Sequence, residues 1–402
     1  MSEHAETVII VGAGIVGSAL AHFLSSSPTS RQITIIDRSF GPLVGSTGHA
    51  PGYVGQFNES EVLTKLAVET VSEYTKIPGG FDAVGGLEIA FQPAGVKRLK
   101  SRWTSAEQRG LPAEMLSIER AHALAPELVQ ESDAGMAVWY PSDGTADACR
   151  ITSFYREEAK KSGVQLLQRD VKKLVVRGGR VDGVEIVDGD SVKQLNADKV
   201  IIATGIWAQD LCSDLDFPVP VIPVGHPYMH GQPRNPLPRK LPLVRWPEHH
   251  VYARDHGDRY GVGSYNHEPL GCKSNNGTAI GSWVKDFEQT LRSATELLPP
   301  ATGEEFDQGA SFNGIFSMTP DNMPLAGAVQ SAPGLHVAVA VWVTHAAGTA
   351  KFLTRVIDGE DVGQETRTAL DPERFKGQDF AKLEEKSLIG YNSIYNTVGK
   401  ST

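Results

Sequence analysis

Val8-Ile-Ile-Val-Gly12-Ala-Gly14-Ile-Val-Gly17 sets four apolar residues directly before three glycines spaced as G-x-G-x-x-G. The apolar run suits a strand buried on both faces, and residues 15–25 after it read as a helix. Residues 33–36 form a second apolar run that ends at Asp37. Together they predict a compact βαβ unit. Gly12 permits the tight turn, Gly14 lets backbone approach a pyrophosphate, and Gly17 lets helix and strand pack closely. The helix N-terminus then faces the phosphates with free N–H groups, and the Asp37 carboxylate can accept from ribose hydroxyls. The motif alone does not choose between FAD and NAD, and the same glycines could serve only helix-on-sheet packing.

The wider composition narrows the class. Of 402 residues, 40% are hydrophobic and 21% charged, as in ordinary globular chains. That length suits two or three lobes. With 38 basic against 48 acidic residues the net charge is −10, which argues against a nucleic-acid partner and, less strongly, against an anionic membrane surface. Cys149, Cys212 and Cys272 form neither a C-x-x-C pair nor a disulfide framework, so a reducing compartment is expected and no metal site is. The apolar stretch 8–24 lacks a basic lead and is broken by glycines, unlike a signal peptide. No segment is long and apolar enough to span a bilayer, and the terminal Gly-Lys-Ser-Thr is no targeting address, which favours a cytoplasmic protein.

Beyond the opening unit, residues 39–60 read as an extended loop and 61–75 as a helix. Residues 151–162 read as a helix, and strands follow at 164–167, 173–176, 181–187 and 199–203, with Arg177-Gly-Gly-Arg180 as a hairpin turn. Residues 216–247 are dense in proline and predict loops with edge strands. Strands are expected at 251–253, 260–265 and 335–343, and helices at 284–298 and 345–358. The fold class is therefore α/β: a discontinuous Rossmann-like nucleotide-binding domain (1–85, 145–213 and 309–365) interleaved with an α+β substrate domain on an antiparallel sheet (86–144 and 214–308). Residues 366–402 are expected to wrap the surface.

Two later stretches favour FAD. Val200-Ile-Ile-Ala-Thr204-Gly205 is a strand ending in an ATG turn, and Ser317-Met-Thr-Pro320-Asp321-Asn-Met-Pro324-Leu-Ala-Gly327 precedes a buried strand and a helix. A helix starting near His345 could direct its positive end at the flavin N1/O2 edge. With Gly45-Ser-Thr-Gly-His49-Ala-Pro-Gly52, His226-Pro-Tyr228, Tyr260-Gly-Val-Gly-Ser-Tyr265, Phe312-Asn-Gly314 and Val341-Trp-Val-Thr-His345, the chain over about residues 5–365 resembles the D-amino-acid-oxidase-like FAD superfamily. Within it, the chain is most similar to the branch of dimethylglycine oxidase and dehydrogenase and sarcosine dehydrogenase.

The resemblance implies the GR2/DAO-type FAD-binding domain and oxidation of N-methyl amines to an iminium that loses formaldehyde. It implies a flavin tethered through His49, whose attack needs a neutral imidazole, and a substrate histidine and tyrosine at His226 and Tyr260. Cofactor contacts are assigned to Gly12, Gly14, Gly17, Asp37 and Arg38, to Ser46, Thr47, His49 and Ala50, and to Val171, Thr204, Gly205 and Trp207. Gly314, Asp321, Thr344 and His345 complete the set. Each of His49, His226, Tyr260 and His345 also has a purely structural alternative, as a packed or backbone-bonded side chain. Trp342 and Trp139 read as core or pocket wall.

The departures matter. The relatives continue into a folate-binding half, which residues 1–402 do not contain. The lysine that assists oxygen in shorter sarcosine oxidases has no counterpart in Tyr260-Gly-Val-Gly263, so the acceptor is oxygen or another oxidant. Arg245, Arg254 and Arg259 are candidates for a substrate-carboxylate clamp, each with a surface-charge alternative. The expected partner is a small-molecule amine; the oligomeric state is not readable. Rival readings are a flavoprotein acting on a larger natural-product amine, a flavin-binding isomerase without net redox turnover, and an NAD-linked dehydrogenase.

Overall fold

The computed structural model describes residues 5–215, 217–274 and 276–394. The apolar strand Glu6–Val11 runs parallel to Arg31–Asp37 on one side and to Lys199–Ile202 on the other. The six-stranded sheet has the order Leu325–Ala328, Leu335–Val339, Lys199–Ile202, Glu6–Val11, Arg31–Asp37, Gln165–Gln168, parallel except for its first strand. Burial on both faces explains the unbroken apolar runs. On one face, helix Ile15–Ser25 packs against Ala148–Lys161 and Ala346–Ile357, closing a core that includes Leu20, Leu24, Ile35, Tyr155 and Phe352. On the other, the three-stranded sheet Asp170–Arg177, Arg180–Asp188 and Ser191–Asn196 helps cover Ile9, Ile36, Val200 and Val337.

The second lobe is built on nine strands. Their order is Ile280–Gly281, Ala310–Met318, Ile222–His230, Tyr260–Ser264, Val251–Asp255, Leu243–Trp246, Gly86–Ala90, Met136–Tyr140, Glu114–Leu116. All neighbours are antiparallel except Leu243–Trp246 beside Gly86–Ala90.

Several expectations are corrected. The proline-dense stretch holds the nine-residue strand Ile222–His230, internal to the sheet rather than at its edge. Pro223 and Pro227 share the parity of Gly225, whose N–H points away from Ala310–Met318 to Leu270 O at 3.1 Å. The missing proline N–H groups therefore cost that ladder nothing. Strand Ala310–Met318 belongs to the nine-stranded sheet, so the chain re-enters the parallel sheet only at Leu325–Ala328. The 39–60 loop contains the short helix Ser46–His49. The expected surface extension carries helices Gln364–Leu370 and Phe380–Asn392, and the second buries Tyr391 completely. Among the described residues no helix is long and apolar enough to cross a membrane.

Candidate functional site

A cavity of about 510 Å³ lies outside the carboxyl ends of the central parallel strands, lined there by Val11, Gly12, Asp37, Ala203 and Ala340. This is where open α/β sheets receive ligands. Its opposite wall is one face of the nine-stranded sheet, with His226, Tyr228, Tyr252, Phe312 and Arg245.

The glycine corner has the geometry its spacing implies. Gly12 has φ +100°, and a Cβ there would lie 2.5 Å from Ala203 O. A Cβ on Gly17 would lie 1.9 Å from Gly12 O, so helix Ile15–Ser25 can sit this close to the turn only with glycine. Asp37 accepts from Ala13 N at 2.6 Å and Ser39 N at 3.0 Å, which fixes its carboxylate at the rim. Thr47 Oγ1 lies 3.2 Å from Ile15 N, joining the 45–50 segment to the start of the helix. Thr204 Oγ1 is buried with no hydrogen-bond partner among the described residues. A cradle without side chains, a carboxylate at the second strand's end and an orphaned hydroxyl fit a dinucleotide.

The cavity also gathers Gly14, Arg38, Ser46, His49, Ala50, Val171, Gly205, Trp207, Gly314, Thr344 and His345. The Arg38 guanidinium lies 4.4 Å from the Trp207 ring centre. His49 ends the short helix Ser46–His49, and burial lowers its pKa below the ordinary 6.5, opposed by a hydrogen bond with backbone at Val44. Its imidazole is therefore neutral near pH 7. His345 is buried before helix Ala346–Ile357, and desolvation takes its pKa to about 4.

Three assigned residues do not line the cavity. Gly17 acts through packing. Asp321 accepts from Arg374 Nε at 2.8 Å and Nη2 at 2.9 Å, and so joins the 319–323 turn to the 371–374 segment. Tyr260 points the wrong way. Register pairs Tyr252 with Gly263 and Arg254 with Gly261, placing those positions on the cavity face. Tyr260 and Val262 alternate to the opposite face, where Tyr260 lies in a core cluster under the Arg234 guanidinium, 3.9 Å from its ring centre.

The tyrosine at His226 is Tyr252. Its hydroxyl lies 2.8 Å from His226 Nε2, and Tyr391 Oη lies 2.6 Å from Nδ1. His226 is 2% exposed, and its backbone N–H donates to Asn313 Oδ1 at 2.8 Å. Burial, with His267 adding, holds its pKa well below the usual value. Tyr265 and Phe316 pack against its ring at 4.5 and 4.8 Å between centres. Glycines on the cavity face make room for these rings: a Cβ on Gly263 would lie 2.4 Å from Tyr252 Cζ, and one on Gly261 2.0 Å from Tyr228 Oη.

Of the three arginine candidates, Arg245 lines the cavity. It bonds Glu88, which also accepts from Arg102 Nε at 2.8 Å and Nη2 at 2.9 Å. Arg254 instead donates to Pro51 O, and Arg259 pairs with Asp258 at the surface.

Comparison with known proteins agrees with this geometry. Dimethylglycine dehydrogenase, mitochondrial, of Rattus norvegicus is 26% identical over 417 residues, which cover 98% of this chain and 48% of that protein. The 4-methylaminobutanoate oxidase (formaldehyde-forming) of Paenarthrobacter nicotinovorans is 26% identical over 412 residues, 96% of this chain and 48% of that protein. The chain thus spans about half the length of the curated relatives it matches. Among solved structures, L-proline dehydrogenase from P. horikoshii superposes with a TM-score of 0.81 at 21% identity, covering 92% of this chain and 98% of that one. Glycine oxidase from Bacillus cereus gives 0.73 at 20% identity, covering 91% and 98%. Residues 7–356 match the FAD dependent oxidoreductase (DAO) family, and the chain belongs to it.

Proposed function

We propose that this protein oxidises a small secondary or tertiary amine, an N-methyl amine first among them, by removing hydride from a carbon next to nitrogen. FAD, held by the glycine corner, Asp37, Thr204 and the 45–50 segment, supplies the two-electron acceptor. The chain's own residues bind, orient and deprotonate the amine. The observation that carries this reading is the ring wall: Tyr228, Tyr252, Tyr265, Phe316 and Trp342 line the same cavity as the glycine corner, beside buried His226. Aromatic faces hold an alkylated ammonium and keep water away from it. Hydride loss needs the nitrogen lone pair, so the amine must first give up its proton, for which the Tyr252–His226 pair is placed. The resulting iminium hydrolyses to an amine and an aldehyde.

Arg245, a cation on the cavity wall held by Glu88, is proposed as the contact for an amine that also carries a carboxylate. The names of the relatives agree: dimethylglycine and 4-methylaminobutanoate are both N-methyl amines with a carboxylate. His49 is proposed as the covalent tether, bonded through a ring nitrogen to the 8α carbon of FAD. The decisive experiment is anaerobic addition of secondary and tertiary amines to the yellow holoprotein while flavin absorbance is followed, repeated after air is admitted. Bleaching by an N-methyl amino acid supports the reading, and recovery in air identifies oxygen as acceptor. A flavin that no amine reduces removes it.

A further inference from the structure

Four side chains form one continuous hydrogen-bonded file from the cavity to the surface. Tyr252 Oη lies 2.8 Å from His226 Nε2 and Tyr391 Oη 2.6 Å from His226 Nδ1. Tyr391 Oη lies 2.9 Å from His267 Nε2, and His267 Nδ1 lies 2.8 Å from Glu268 O. Tyr252 lines the cavity, His226 and Tyr391 are fully enclosed, and His267 is half-buried between exposed Asn266 and Glu268.

The last link orients all the others. A backbone carbonyl only accepts, so His267 Nδ1 carries hydrogen and donates to Glu268 O. Neutral His267 therefore offers Nε2 as an acceptor, and Tyr391 donates to it. Tyr391 Oη then accepts from His226 Nδ1–H, leaving His226 Nε2 bare to accept from the Tyr252 hydroxyl. Every hydrogen along the file points outward, from Tyr252 on the cavity wall toward His267.

We infer that Tyr252, His226, Tyr391 and His267 are a polarised relay that takes the proton of the incoming ammonium at Tyr252 and delivers it to water at His267. The inference rests on the amine reading above. The balance closes: the ammonium gives one proton to Tyr252 Oη, and the Tyr252 hydroxyl proton passes to His226 Nε2. The Nδ1 proton passes to Tyr391, and the Tyr391 proton passes to His267 Nε2, from which the Nδ1–H or Nε2–H proton leaves to solvent. No electron moves. His226 changes tautomer without becoming an imidazolium, which suits its burial; hydroxyl rotation and return of the tautomer reset the file. The titratable groups against His226 are Tyr252, Tyr265, Tyr391 and His267. Tyr391 and His267 do not touch the amine; they act through His226.

The position of Tyr391 is enforced by its neighbour. Asn392 Nδ2 donates to Tyr265 O at 2.6 Å and to His267 O at 2.8 Å, pinning the end of helix Phe380–Asn392 to the strand it serves. This helix lies outside the stretch 7–356 that matches the family, so Tyr391 comes to the relay from the extension, while His267 lies within the matched stretch.

The test has two arms on the holoprotein. In histidine-selective 15N NMR, with His226→Gln used for assignment, wild-type His226 should be neutral with hydrogen on Nδ1. Tyr391→Phe removes the acceptor and should shift His226 toward the Nε2–H tautomer. A wild-type His226 that is Nε2–H or charged, or one indifferent to Tyr391→Phe, overturns the polarised file. In the second arm, anaerobic reduction by N,N-dimethylglycine should be roughly a hundredfold slower in Tyr391→Phe and His267→Gln at about pH 7. The variants should approach wild type at about pH 10, where roughly half of the amine arrives neutral. Slowing by one factor at both pH values, or none at either, overturns the relay. Should dimethylglycine fail to reduce the wild type, the substrate reading falls instead, and the NMR arm still judges the file.

Discussion

The Tyr252 hydroxyl lies 2.8 Å from His226 Nε2, and the two rings are parallel to within 6°. The pair can only form because Gly263 stands opposite Tyr252 in register and leaves the ring space to lie across the sheet. Tyr252→Phe should slow anaerobic flavin reduction by roughly a hundredfold at neutral pH, a usual contribution for a positioned proton acceptor. Tyr260→Phe, on the opposite face, should change thermal stability and leave that rate alone. Stopped-flow absorbance on both variants decides it: an inversion of the two effects would return the role to Tyr260.

How far such a site can be read beforehand depends on the distance over which its parts interact. Helix Ile15–Ser25 and strand Arg31–Asp37 are legible because adjacent residues encode them, through an apolar run, a glycine corner and a terminal carboxylate. Local strand-then-turn patterns likewise mark Thr204 and His345. Tyr391 was hidden because it meets His226 across 165 positions, and nothing near it in sequence says where its helix docks. Prolines at 223 and 227 disguised a central strand, since proline content does not reveal which side of the strand lacks a partner. Tyr260 was nonetheless available to a stricter reading. In Tyr260-Gly-Val-Gly263 a period of two puts Tyr260 with Val262, leaving the glycine face to receive rings from neighbouring strands.

Gly263 gives a direct test of that packing. An added Cβ would meet Tyr252 Cζ at 2.4 Å and Oη at 2.5 Å, and the ring would have to move off His226. Gly263→Ala should lower stability by about 1–3 kcal/mol, as overpacking does. It should also slow reduction as Tyr252→Phe does. Urea unfolding and single-turnover kinetics on one preparation measure both; a stable variant of normal rate would show that the ring is not held there.

His49 is half-buried with a depressed pKa, at the end of a short helix whose Gly48 admits no Cβ, since one would lie 1.9 Å from Leu43 O. The ring is thus presented neutral at a fixed place on the cavity wall. Acid precipitation of the wild type should leave the yellow colour in the pellet, and His49→Ala should release it to the supernatant. Colour lost from the wild type would dismiss the tether without touching the rest of the site.

Arg245 separates binding from chemistry. Glu88 keeps Arg102 as a partner when Arg245 is removed, so Arg245→Gln leaves no buried carboxylate unpaired. Loss of one charge-assisted contact to a substrate carboxylate corresponds to about 10- to 100-fold in KM. The rise should appear with dimethylglycine and be absent with a neutral N-methyl amine; equal changes for both would exclude a carboxylate contact at Arg245.

Asp143 predicts how stability varies with pH. Its carboxyl is 2% exposed, accepting from Gln56 N at 2.8 Å and from the Tyr53 hydroxyl at 3.3 Å. Burial raises its pKa from the ordinary 3.8 to about 7, against the opposing pull of the Gln56 amide, Tyr53 and Arg102. The folded state therefore keeps a proton that the unfolded chain releases, and stability from this group is complete below the unfolded value. It drains away as pH rises from there through about 7. Asp143→Asn keeps an acceptor for Gln56 N–H and cannot ionise. Its advantage over wild type in urea unfolding should widen from about pH 4 to about pH 7 and then level off, on the order of 4 kcal/mol at the plateau. Parallel stability curves for the two proteins across that interval would mean that Asp143 is ionised in the fold, with its charge balanced by Arg102.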